Sequence, residues 1–118
     1  MTTVLEIHLV AAYLVAVLAL FVGWVPVGRR VMVAIIGLQV LIGAIAAGVA
    51  GANHLTLPKT LALHVIAALL AMAFYIVGRR VGDRGATVNA LVLSALGFIT
   101  VIATIVIGMR MSPNYLHG

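Results

Sequence analysis

The sequence contains no cysteine, and only 8% of its 118 residues are charged. The missing thiols exclude a disulfide framework, a thiolate metal site and a cysteine nucleophile. The remaining chemistry belongs to His, Glu, Asp, Lys, Arg, Tyr and amide side chains. So little charge excludes an ordinary soluble fold, in which about a quarter of residues are charged. No polar stretch exceeds a short loop, and the alternation of polar and apolar residues that builds a membrane β-barrel is absent. The opening MTTVLEIHLV lacks the basic leader and cleavage pattern of a secretory signal, so the first helix is expected to stay in the mature protein.

What is present is apolar. The hydrophobic set makes up 65% of the chain, mean hydropathy is +1.32, and a lipid bilayer is the solvent that fits. A net charge of +5 and a pI near 10.9 would suit an anionic partner, but the composition excludes most nucleic-acid-binding modules. No nucleic acid is expected, and the charge reports topology first and attraction to anionic lipid second.

The charges divide the chain into apolar stretches bounded by Glu6 and Arg29, Arg30 and Lys59, Lys59 and Arg79, and Arg84 and Arg110. Each is long enough for one crossing of about 20 residues and none for two. The expected fold is an all-α membrane protein, an up-down bundle of four transmembrane helices in one domain, 1–118, with helices at about 5–27, 31–51, 58–78 and 86–110. Arg29 and Arg30 fall in the first loop and Arg79, Arg80 and Arg84 in the third. Lys59 and Arg110 stand on the other side. By the positive-inside rule the arginine loops are cytoplasmic and both termini lie outside, in a multi-pass protein of the cell membrane. Trp24 and Tyr75 then fall near the inner interface, and Pro26 and Pro58 mark span ends.

The halves match when aligned on histidine. His8-Leu-Val-Ala-Ala12 pairs with His64-Val-Ile-Ala-Ala68, Val22-Gly23 with Val77-Gly78 after one residue is skipped, and, in the second and fourth spans, Gly37 and Gly48 with Gly97 and Gly108. This is the pattern of a 2+2 internal repeat about an axis along the membrane normal; the alternative is chance similarity of Ala-, Val- and Leu-rich helices.

His8, His54, His64 and His117 all fall on the outer side. His8 and His64 sit at comparable depth on helices that are diagonal in an up-down bundle, an arrangement suited to two axial ligands of one heme iron. Ala11, Ala12, Ala67 and Ala68, three and four residues further on, leave a slot beside them. Gly43, Ala47, Gly48 and Gly51 on the second helix and Gly97, Ala103 and Gly108 on the fourth can thin the other walls. The bland alternative is close helix packing with no cofactor. A Cu or Zn site is the other metal reading, since three or four histidines on one side can converge.

His54 and His117 read as solvated, or as contacts to heme propionates. Lys59 and Arg110 are the better propionate partners, unless they only snorkel to headgroups. Glu6 reads as interfacial, with proton exchange at a heme edge, the one catalytic candidate, as its alternative. Gln39 is placed mid-span, far below the heme, where it makes an interhelical hydrogen bond; Tyr13, Thr100 and Thr104 are read the same way.

His8-Leu-Val-Ala-Ala-Tyr13, Leu38-Gln39-Val-Leu-Ile-Gly43, Pro58 and Leu63-His64-Val-Ile-Ala-Ala68, in this order, resemble one half of the heme A synthase family, in a single-unit version. That family is built from two four-helix units, each with a heme-ligating histidine pair. The resemblance implies His8 and His64 as axial ligands. The glutamate three residues before the first histidine and the arginine directly after it, found in the family's active half, are replaced by Leu5 and Leu9, and the outer-loop cysteine pair of many members is missing. The chain therefore resembles the cofactor-holding half.

The expected function is that of a b-type cytochrome-like protein carrying one heme b near the outer face for electron transfer. The alternatives are a single-unit enzyme oxidising heme O, in a homodimer, and a non-catalytic subunit of a respiratory or photosynthetic complex.

Overall fold

A backbone in lipid must satisfy its own hydrogen bonds, and this chain does so in four helices. The computed structural model describes residues 2–52 and 60–117, with side chains over 6–49 and 60–110. The helices are α1 (Thr2–Phe21), α2 (Pro26–Ala52), α3 (Leu61–Asp83) and α4 (Thr87–His117), and no strand occurs among the described residues.

α1 packs on α2 and α4, and α3 packs on the same two neighbours. That cyclic order makes an up-down bundle with α1 and α3 on the diagonal, as expected. The bundle measures 50 × 22 × 18 Å, and its long dimension follows from α4, whose 31 residues extend about 46 Å at 1.5 Å per residue. α2, α3 and α4 are long and apolar enough to cross a membrane, and the described side chains of α1 form the apolar stretch Glu6–Phe21. Val15 and Ala19 of α1, Met32 and Ile36 of α2, Ala71 and Tyr75 of α3 and Val101 of α4 form the core. Phe21, Val27, Val88 and Ile99 stay exposed on the outside, where a soluble protein would carry charge.

The first connection differs from expectation. α1 stops at Phe21 rather than 27, because Val22 and Gly23 both turn their amides onto the Leu18 carbonyl, at 2.8 and 3.1 Å. Pro26 then opens α2, the first helical position being where its missing N–H costs nothing. Gly28 lets the two helices close up, since a Cβ there would overlap the Val22 carbonyl. Arg29 and Arg30 are therefore helical and not in a loop. Arg29 turns into the bundle and is buried, donating to the Trp24 carbonyl at 2.9 Å and to the Ser94 hydroxyl at 3.4 Å.

The third connection is a Schellman turn. Gly85, at φ +88°, takes the left-handed conformation, while Gly85 N–H bonds the Gly82 carbonyl and Ala86 N–H the Val81 carbonyl, at 3.0 and 3.1 Å. α3 thus runs to Asp83 and carries Arg79 and Arg80 within the helix, beyond the expected end at 78.

Tyr75 packs inside the bundle. It is fully buried, because Gly97 and Gly23 open the space for its ring and hydroxyl. A Cβ at Gly97 would stand 2.7 Å from the ring, and one at Gly23 would stand 3.3 Å from the phenol oxygen. Trp24 bonds the Leu20 carbonyl at 2.6 Å and lies 6.3 Å from the Phe98 ring.

Candidate functional site

His8 lies in the second turn of α1 and His64 in the first turn of α3. Both helices begin at the same end of the bundle, so the diagonal pairing brings the two imidazoles face to face across the axis. Their ring centroids are 6.2 Å apart and their planes 79° apart. Two imidazoles sharing one metal in line, with bonds of about 2 Å each and about 1.1 Å from nitrogen to ring centre, would have centroids about 6.2 Å apart. The spacing fits that geometry. It also falls within the range of an edge-to-face aromatic pair.

Each ring rests against a glycine of the following helix. A Cβ at Gly43 of α2 would stand 3.1 Å from His8 Cε1, and one at Gly108 of α4 would stand 2.9 Å from His64 Cε1. Four residues before each glycine stands a polar residue that engages the same histidine. Gln39 Nε2 donates to the His8 backbone carbonyl at 3.0 Å, and the Thr104 backbone carbonyl pairs with His64 Nδ1 at 2.9 Å. A carbonyl only accepts, so His64 Nδ1 carries the proton and Nε2 retains the lone pair that binds a metal. Metal-binding histidines are commonly oriented by such a bond from the other ring nitrogen.

Gln39 is thus not far below the histidines. Its helix extends well past the start of α1, so a mid-span position on α2 meets the second turn of α1. The histidine-facing glycines are Gly43 and Gly108, a different register from the match of Gly48 with Gly108. Gly48 has no neighbour within 4 Å of where a Cβ would be.

A partly open cavity of about 190 Å³ lies between the helices, with an almost wholly apolar wall. For scale, an engineered cavity of about 150 Å³ holds benzene. Ala12 and Ala68, four residues after each histidine, line it, as do Gly43, Ala47 and Gly108. Ala11 and Ala67 are half-buried beside it and are not among its lining residues. Gly97 packs on Tyr75 instead, and Ala103 is exposed. Toward the bundle centre the cavity reaches Val15, Ile36, Ala71 and Val101.

Of three further polar residues, one bonds across helices and two bond within their own. The Tyr13 hydroxyl bonds Met109 Sδ across to α4 at 3.8 Å, as an interhelical contact should. Thr100 and Thr104 hydroxyls bond carbonyls of their own helix, Leu96 and Thr100, both at 2.7 Å. In an apolar helix a hydroxyl finds the carbonyl four residues back without needing a neighbour. Glu6 and Arg110 are exposed at the histidine end. His54, Pro58 and Lys59 lie outside the described residues, and of Gly51 and His117 only the backbone is described.

Among the described residues no group of three or more His, Cys, Asp or Glu gathers at the pair or elsewhere. A zinc site takes three or four protein ligands, whereas heme iron already has four equatorial nitrogens and needs two. The two described histidines supply the number of protein ligands that a heme iron needs, while His54 and His117, on which a Cu or Zn site would draw, have no described side chains. Comparison with family models, with curated proteins and with solved structures finds no match.

Proposed function

We propose that the protein is a membrane-embedded b-type cytochrome-like electron carrier, with His8 and His64 as the two axial ligands of one heme. The observation that carries this reading is the imidazole pair at 6.2 Å, with His64 already oriented by the Thr104 carbonyl. A heme held by two imidazoles supplies a one-electron couple tuned by its surroundings. The chain's own residues do the rest. α1 and α3 present the ligands, Gly43 and Gly108 leave the rings room, and the apolar wall at Ala12, Ala47 and Ala68 keeps water out. Arg110, exposed two residues beyond Gly108, is the described cation nearest in sequence for pairing with a propionate. The arginine-rich end faces the cytoplasm in this reading, and the histidine end faces outward, within reach of a redox partner in the same membrane.

The edge-to-face range of the ring pair favours a second reading, a packing subunit of a larger membrane complex that uses the histidines only as a helix contact. Reconstitution with hemin separates the two. The cytochrome reading expects one hemin per chain with the sharp reduced bands of low-spin heme, lost in His8→Ala and in His64→Ala and kept in His117→Ala. Low-spin bands surviving either of the first two changes would sink the ligand assignment.

A further inference from the structure

We infer that the two histidines are unequal, His64 being the fixed ligand and His8 the exchangeable one, so that the α1 side of the site admits a small neutral molecule in place of the His8 imidazole. This rests on the heme reading of the pair.

The asymmetry lies in what holds each ring. His64 Nδ1 is bonded to the Thr104 carbonyl at 2.9 Å, and α3, which carries it, buries Ala71, Tyr75 and Gly78 along one face. His8 Nδ1 is buried with no hydrogen-bond partner among the described residues. Among the described hydrogen bonds, the one that reaches His8 from another helix, from Gln39 Nε2, grips its backbone carbonyl and not its ring. The helix at His8 is therefore tied down, while the imidazole packs against Gly43 and the His64 ring with no described hydrogen bond on Nδ1. Release requires a rotation of the side chain and no movement of α1.

Gln39 supplies what an incoming molecule would meet. The His8 carbonyl can only accept, so the amide must turn Nε2 toward it. That leaves Oε1 buried, without a partner, on a residue that lines the same cavity. A buried acceptor lacking a donor is costly, and a molecule with one metal-binding lone pair and one N–H or O–H relieves it. Imidazole has both, and carbon monoxide tests the exchange without the hydrogen bond. Loss of an orienting partner typically costs about 10–100-fold in ligand affinity, so His8 should leave at least tenfold more readily than His64.

The test uses the full chain reconstituted with hemin in detergent. Wild-type ferrous protein should change from a six-coordinate histidine spectrum to a carbon monoxide adduct. His8→Gly should keep its heme in a five-coordinate form and regain the low-spin spectrum on addition of imidazole, at lower imidazole concentration than His8→Gly/Gln39→Leu. His64→Gly should bind hemin at least tenfold more weakly than His8→Gly and gain nothing from imidazole. A wild-type spectrum unmoved by saturating carbon monoxide overturns the exchange, and that measurement needs no variant. Equal retention and rescue in the two glycine variants overturns the asymmetry. If wild type takes up no low-spin heme, the exchange and the cytochrome reading fall together.

Discussion

Replacing Gly108 by alanine tests the site through one methyl group, with Gly43→Ala as its control. Helical glycine-to-alanine changes contribute about 1 kcal/mol in favour of the fold, so both variants start from the same gain. They differ in what the methyl meets. At Gly43 the nearest atom is His8 Cε1 at 3.1 Å, and that ring has no described hydrogen bond to lose. A shift of about 0.4 Å restores ordinary carbon contact near 3.5 Å, and most of the gain survives. At Gly108 the methyl would stand 2.9 Å from Cε1 and 3.3 Å from Nδ1 of His64, so about 0.6 Å is needed. The ring cannot give that freely, because Nδ1 sits 2.9 Å from a carbonyl of the same helix. Moving it by that amount stretches the bond to its limit and costs about 1 kcal/mol, which cancels the propensity gain.

Thermal unfolding in detergent should therefore show Gly43→Ala slightly stabilised and Gly108→Ala near wild type. Hemin titration should separate them further, with Gly108→Ala weakened about 10–100-fold by the lost orientation of its ligand and Gly43→Ala much less. Equal hemin loss in the two variants, or unchanged affinity in Gly108→Ala, would refute the role given to the Thr104 contact.

Two further outcomes concern the core below the site. Tyr75→Phe removes a buried hydroxyl that has no described partner, so thermal stability should stay level or rise by about 1 kcal/mol; a loss larger than that would reveal an acceptor the phenol depends on. Gly97→Ala places a methyl 2.7 Å from the Tyr75 ring, which is fully enclosed and cannot move aside. Overpacking of this kind costs about 1–3 kcal/mol, so unfolding should occur at lower temperature despite the better helix former, and an unchanged midpoint would show that the core yields.

Four helices and the meeting of His8 with His64 were legible because both follow from coarse features. Charge spacing sets the number of helices, and an up-down order puts the first and third on the diagonal. Axial offset was not legible. Gln39 and Gly43 face His8 because α2 begins at Pro26 and outruns α1, and no charge marks that difference in length. The burial of Tyr75 was not legible for a related reason. In lipid the outward face of a helix is as apolar as the inward one, so periodicity of hydrophobicity no longer says which side is buried. Residue size carries the signal instead, and the clue to Tyr75 was a glycine on another helix, Gly97, which only the packing connects to it. The alanine pairs show the same limit: Ala12 and Ala68 reach the cavity and Ala11 and Ala67 do not, a distinction of one residue in helix phase.

Arg29 changes what the arginine count means. Five arginines mark one end of the bundle in the sequence, but Arg29 is only 3% exposed and makes its bonds inside the protein. The one described ion pair at that end joins Arg30 to Asp83 at a long 3.8 Å, and exposed pairs of this kind contribute little. Arg29 itself is held by neutral acceptors, the Trp24 carbonyl and the Ser94 hydroxyl, with its guanidinium against Gly82 and its stem against Gly78. Burying a charge in this way is a poor source of stability, and the guanidinium lies close against the Gly82 backbone of α3. α2 is continuous from Pro26 to Ala52, which places Gly43 about 21 Å beyond Arg29 along the axis. Gly43, on the same helix, is the glycine that meets the His8 ring of α1 at the other end.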